Sequence, residues 1–138
     1  MKRVLVDTSI WIEFFAKSPK VSQNVLDRLS DRILEQQVVL IQPVRAELLS
    51  GHVSKALKGE IERCFDAIEY VDLDWSRREN WEDIIAFASS ARKIGLAIPG
   101  LIDRMILLSA LLSNASLCTA DKALVKLAKK IGVDVWPA

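Results

Sequence analysis

A three-layer α/β/α domain built around a central, mainly parallel sheet is the fold class that the sequence predicts, as one domain over residues 1–138. Three observations carry this expectation. Short runs of β-branched and aliphatic residues alternate along the chain with longer stretches whose apolar positions fall at helical spacing, the pattern of parallel strands joined by crossover helices. With 51% hydrophobic and 27% charged residues, the composition is that of one compact domain able to bury a core without metal or disulfide staples. No Pro-, Gly- or Ser-rich linker divides the chain.

Residues 3–6 form the first aliphatic run and read as a strand buried on both faces. The run stops at Asp7. Thr8 and Ser9 are suited to cap a helix through the apolar, aromatic-rich residues 10–15, which Ser18 and Pro19 then interrupt. Between 22 and 36, Val25, Leu26, Leu29, Ile33 and Leu34 share one helical face. Residues 38–41 supply a second strand, and Pro43 opens a helix that contains Glu47 and ends at Gly51. A helix over residues 54–68 sets Leu57, Ile61, Cys64, Phe65 and Ile68 on one side, and residues 70–73 form a weak third strand. From 75 to 94, Trp81, Ile84, Ile85, Ala88 and Ala91 make the stripe of a long helix stopped by Gly95. After a loop with Pro99, a helix starts near Leu101, carries Asp103 in its first turn, and is apolar almost all round from 105 to 112. That predicts a central position. Residues 115–119 read as a strand, Asp121 begins a helix holding Leu124, Leu127 and Ile131, and residues 133–136 form the last strand.

The longest uncharged stretch, residues 105–120, includes Ser109, Ser113, Asn114, Ser116 and Thr119. It falls short of the roughly 20 apolar residues of a membrane span, so no membrane association is expected. Asp7 interrupts the apolar run behind Lys2 and Arg3, which disfavours an export signal. Cys64, Cys118 and His52 are too scattered for a zinc set or a disulfide framework, and a reducing cytoplasm is the expected location. A net charge of +1 offers no global attraction for nucleic acid, but with four acids gathered in one pocket the remainder would carry +5.

In an open α/β sheet the functional crevice lies beyond the carboxyl ends of the strands. Asp7 and Asp121 fall at such junctions, Asp103 opens a core helix, and Glu47 lies one turn into a helix that follows a strand directly. All four can reach one rim. Two carboxylates about 4 Å apart repel by roughly 4 kcal/mol at an effective dielectric of about 20, so such a cluster persists only by protonation or by binding cations. Oxygen donors without Cys or His nearby match Mg²⁺, with Mn²⁺ as a substitute.

The strings VLVDTSIWIEFF at 4–15, VRAELLSG at 44–51, GLIDRMILLSA at 100–110 and LCTADKAL at 117–124 resemble, in order and spacing, the four acidic motifs of PIN domains, and in particular those of VapC-like toxins of toxin–antitoxin pairs. The likeness covers nearly the whole chain. The strand running into Asp7, Thr8 and Ser9 is the most specific of the four, and the Thr119, Ala120, Asp121 triplet is next. The resemblance implies a PIN-like α/β/α fold and a Mg²⁺-dependent endoribonuclease that hydrolyses RNA phosphodiesters with metal-activated water, leaving 5′-phosphate and 3′-hydroxyl ends. Asp7, Glu47, Asp103 and Asp121 would be the catalytic, metal-binding acids, with Thr119 supporting Asp121 and Thr8 or Ser9 orienting the first acid or a scissile phosphate. A cognate antitoxin and a homodimer are the implied protein partners. In one departure, Leu107 and Leu108 stand where the family often has small residues, and Arg104 abuts Asp103.

Simpler readings stand beside these. Taken alone, Asp103 and Asp121 read more readily as helix-start carboxylates complementing the dipole, worth about 0.3–1 kcal/mol each, and Glu47 as a solvated helical residue. The joint pattern reverses that preference. Glu13 and His52 are expected on the surface, Cys64 and Cys118 as inert core thiols, and Trp75 and Trp81 as core or oligomer contacts. Lys126, Lys129 and Lys130 are expected on a solvated face, whereas Arg104 and Lys122, each following a candidate acid, are candidate RNA-phosphate contacts. Two alternatives remain at this level: a non-catalytic PIN-fold RNA-binding or scaffold module, and a receiver-like phospho-accepting domain.

Overall fold

A computed structural model describes residues 2–137. Four short strands, β1 (Val4–Val6), β2 (Val38–Leu40), β3 (Glu69–Tyr70) and β4 (Ser116–Cys118), form one parallel sheet in the order β3-β2-β1-β4. Seven helices connect and cover it: α1 (Thr8–Phe14), α2 (Gln23–Leu34), α3 (Gln42–Leu49), α4 (Lys55–Asp66), α5 (Arg78–Lys93), α6 (Leu101–Leu112) and α7 (Lys122–Ile131). The result is the three-layer α/β/α arrangement that the alternation of elements predicts.

Every residue of β1, β2 and β4 is buried, as a strand covered on both faces requires. The central position of β1 follows from its pairing with β2 on one side and β4 on the other, with Val4 opposite both Val38 and Ser116. α6 is the central helix: Met105 to Ala110 are all buried, and the one hydroxyl among them, Ser109 Oγ, donates to the Met105 carbonyl at 2.8 Å. Its last turn emerges, with Leu112 55% exposed.

Four expectations shift. The third strand is shorter and earlier than residues 70–73, because chain pairing with β2 ends where Val71 N–H reaches the Leu40 carbonyl. The long helix starts at Arg78, since Asp74 first closes a turn by accepting from the Ser76 amide at 3.0 Å. On the predicted apolar faces, Leu34 is 82% and Ile85 60% exposed, while Phe87 points inward in place of Ile85. Residues 133–136 make a single parallel bridge, Val135 to Leu117, rather than a full strand. Of the two expected glycine stops, Gly95 ends its helix at φ 76°, where a side chain would be strained, whereas Gly51 follows the Ser50 cap of α3 without a positive φ; Gly132 ends α7 at φ 91°. Among the described residues no helix is long and apolar enough to cross a membrane.

Truncation of α6 tests the layering. Leu107→Ala should cost about 2–5 kcal/mol of unfolding free energy in urea, and Leu112→Ala well under about 1 kcal/mol. Equal losses would contradict a central inner face.

Candidate active site

The site begins where the two central strands end. Parallel register sets Val6 beside Cys118, and the Asp7 amide donates to the Cys118 carbonyl at 2.9 Å, so the residues that follow each strand emerge side by side. Asp7 is the N-cap of α1, and its side chain is 4% exposed. Its Oδ2 accepts two hydroxyl protons, from Ser9 Oγ at 2.8 Å and Thr119 Oγ1 at 2.7 Å. Each hydroxyl in turn accepts a backbone amide, Ser9 from Ala120 at 3.2 Å and Thr119 from Asp121 at 3.1 Å. A hydroxyl has one proton, and a main-chain donor on its oxygen leaves that proton for the carboxylate. Both bonds fall on Oδ2, which leaves Oδ1 as the atom able to meet a ligand.

Asp121 caps α7, its Oδ1 accepting from the Ala123 and Leu124 amides at 2.9 and 3.2 Å. The structural reading of this acid is therefore real, and a carboxylate has a second oxygen. Asp103 sits half-buried in the first turn of α6. Its carboxyl is pushed up to about 6, first by burial and then by the negative charges of Asp7, Asp121 and Glu47. Glu47 projects from exposed positions of α3, a helix that packs on both α1 and α6. All four acids line one cavity of about 560 Å³, and neither Lys nor Arg is among its described lining residues.

Thr8 lies at the first position of α1 with its hydroxyl buried and without a partner, so Ser9, rather than Thr8, orients Asp7. Thr119 does more than its expected support of Asp121, because it bridges two acids. Arg104 is half-buried and donates from Nε to the Pro99 carbonyl at 3.0 Å and from Nη1 to the Ile84 carbonyl at 3.3 Å. Its guanidinium ties α6 to α5 and to the intervening loop. Lys122 is exposed at the first turn of α7, beside the rim. The Cys118 thiol, pushed up to about 12 by burial and then by Asp7, stays protonated and supplies no ligand.

Sequence reasoning missed the rest of the cavity wall: Ile12 and Phe15 from α1, His52 and Val53 from the loop after α3, and Leu57 and Ile61 from α4. Positions 8, 12 and 15 share a helical face, so the α1 part of that wall had a signal. Nothing local placed the His52 loop across from it.

The donor chemistry fits a hard divalent cation: four oxygen-bearing acids, no thiolate, and no internal countercharge. Among the described residues, however, no three acids stand close enough to grip one ion as they are placed. Side-chain rotation of Glu47 and Asp103 would be needed to close the shell.

The chain matches the family model described as PIN domain over residues 4–130. No curated protein sequence matches it. Among solved structures, FitAcB from Neisseria gonorrhoeae is similar at 21% identity and a TM-score of 0.66, covering 96% of this chain and 95% of that one. VapBC2 from Rickettsia felis, bound to a DNA fragment from its promoter, is similar at 18% identity and a TM-score of 0.70, covering 96% of each chain. FitAB bound to an IR36 DNA fragment gives 19% identity and a TM-score of 0.67, covering 96% of this chain and 93% of that one. At such identities the likeness shows the fold.

The raised Asp103 carboxyl makes the metal-free protein pH-sensitive. A carboxyl whose folded value lies above its unfolded one contributes stability that is complete below about pH 4 and is lost as pH rises through about 6. Discounted for half exposure, the loss is about 1–2 kcal/mol. Urea unfolding in EDTA should therefore show higher stability at pH 5 than at 7.5, and Asp103→Asn should erase most of that difference. A flat wild-type profile would contradict the electrostatic account.

Proposed function

The chain belongs to the PIN-domain family, and from that premise we propose that it is a Mg²⁺-dependent endoribonuclease acting as the toxin of a toxin–antitoxin pair. The observation that carries the proposal is the shared cavity of Asp7, Glu47, Asp103 and Asp121 with no cationic side chain in its wall. Each acid has a distinct part. Asp7, immobilised through Oδ2 by Ser9 and Thr119, is the fixed ligand around which the others adjust. Asp121 is anchored through Oδ1 by its helix and offers its second oxygen. Asp103 and Glu47, the latter on a long exposed side chain, would complete the set of oxygen ligands. A bound Mg²⁺ or Mn²⁺ supplies charge neutralisation and activates water for in-line attack on phosphorus. Lys122 at the rim meets a backbone phosphate of the RNA.

The antitoxin reading rests on the resemblance of the four motifs to VapC-like toxins and on the fold shared with chains of the VapBC2 and FitAB structures. Exposed Ile85 on α5 and Leu112 on α6, helices that pack against each other, support a homodimer through that side. A cytoplasmic location accords with both. Family membership sets aside the receiver-like alternative. The spacing of the acids beyond the reach of one ion favours a second reading, a non-catalytic PIN-fold module that binds RNA or scaffolds a complex.

One assay separates the two. With purified chain and single-stranded RNA, cleavage should require added Mg²⁺ or Mn²⁺ and stop in EDTA. Asp7→Asn should lower it by about 10²-fold or more, and Thr119→Val, which removes an orienting partner, by about 10–100-fold. Metal-dependent cleavage that survives Asp7→Asn would overturn the assignment, and its absence from the wild type would leave the non-catalytic module.

A further inference from the structure

The acids share their cavity with an apolar wall: Ile12 of α1, Phe15 at the end of that helix, Leu57 and Ile61 of α4, and His52 from the loop between α3 and α4. Ile12 is 53% exposed, although the rest of its helix is buried or half-buried against the core. Phe15 is held by other rings. It stacks on the fully buried Trp11, with centroids 5.9 Å apart and planes 23° from parallel, and meets Phe14 and Phe65 edge to face at 5.2 and 6.2 Å. With Phe14 it is one of the two partly exposed members of that cluster, where Trp11 and Phe65 are covered. A ring fixed on three sides and bordering an open cavity is a platform with little conformational freedom left to lose.

The distance suits one nucleotide. From Thr8 to Phe15 the helix rises by about 10 Å, enough for a phosphate at the acids and the neighbouring base at the ring. Cavity size agrees, since about 560 Å³ lies within the usual range of ligand pockets. Proteins that read single-stranded RNA do so by splaying bases onto aromatic side chains and meeting their edges with polar groups. His52, lining the same cavity, offers such a polar group.

We propose that the Phe15 and His52 part of the cavity is a binding site for one unpaired nucleobase adjoining the scissile phosphate, and that it sets which base flanks the cut. This rests on the nuclease reading and deepens it. The apolar trough is continuous with the acids through a single face of α1, so strand passing over the acids delivers its neighbouring base there.

Two readouts test it on the full chain. In EDTA, where cleavage is silent, single-stranded RNA substituted with thiouridine should photocrosslink to Phe15 or His52, as located by mass spectrometry. With Mg²⁺ and a randomised RNA pool, the wild type should show a base preference at one position beside the cut. Phe15→Leu, which keeps an apolar side chain but removes the ring, should flatten that preference and raise KM about tenfold with a smaller change in kcat. His52→Ala, in an exposed loop that the core does not need, should shift the preference without affecting folding. Crosslinks confined to other residues, or an unchanged preference and KM in both variants, would overturn the proposal. Crosslinking to Phe15 without cleavage by the wild type would remove the nuclease reading while retaining the base site. Cleavage with no preference would remove the base site alone. If Phe15→Leu weakened binding of a protein partner and left RNA untouched, the trough would be a protein-docking surface and the base site would fall.

Discussion

Mutual repulsion among carboxylates in a cavity without a countercharge is the constraint on which the site depends. The fold could have answered it with a lysine or arginine, and the basic residue nearest to hand, Arg104, is instead engaged with the carbonyls of Pro99 and Ile84. The charge is left unbalanced, and burial, with the neighbouring negative charges added to it, pushes the Asp103 carboxyl up to about 6. A protein that leaves negative charge uncompensated in a half-enclosed space retains an electrostatic preference for cations. Outside these four acids the chain carries a formal net charge of +5.

The sheet makes this arrangement inexpensive in backbone terms. Because β1 and β4 are parallel neighbours in register, Asp7 and Thr119 leave the sheet side by side without any special loop. Two hydroxyls, each accepting a main-chain amide of residue 120 or 121, then donate their own protons to Asp7 Oδ2. The first acid is thereby rigid, the fourth is tied by its own helix, and mobility is left to Glu47 and Asp103. A cation entering the cavity would thus meet two anchored carboxylates and two less constrained ones.

Much of this was legible in the residues. Strands buried on both faces announce themselves as uninterrupted aliphatic runs, and Asp7 and Asp121 stand at strand-to-helix junctions whatever the tertiary structure. The capping role of Asp121 was also readable and proved compatible with a place on the cavity wall. Other features depend on contacts far apart in sequence. The hydroxyls of Thr8 and Ser9 are indistinguishable locally, and only the tertiary structure, which brings Ala120 to Ser9, decides that Ser9 serves Asp7 while the Thr8 hydroxyl is buried without a partner. Arg104 looked available because its carbonyl partners lie on another helix and in a loop. Ile85 and Phe87 differ by two positions on α5, and periodicity alone does not say which one the core admits. His52 reaches the cavity only because the loop after α3 lines it together with α1.

Anomalous diffraction from crystals soaked in Mn²⁺ tests most directly whether the four separated acids form one cation site. The account predicts a peak inside the cavity, with an oxygen of Asp7 and oxygens from at least two of Glu47, Asp103 and Asp121 about 2.1 Å away. A cavity without a peak at saturating Mn²⁺, its acids still apart, would contradict it.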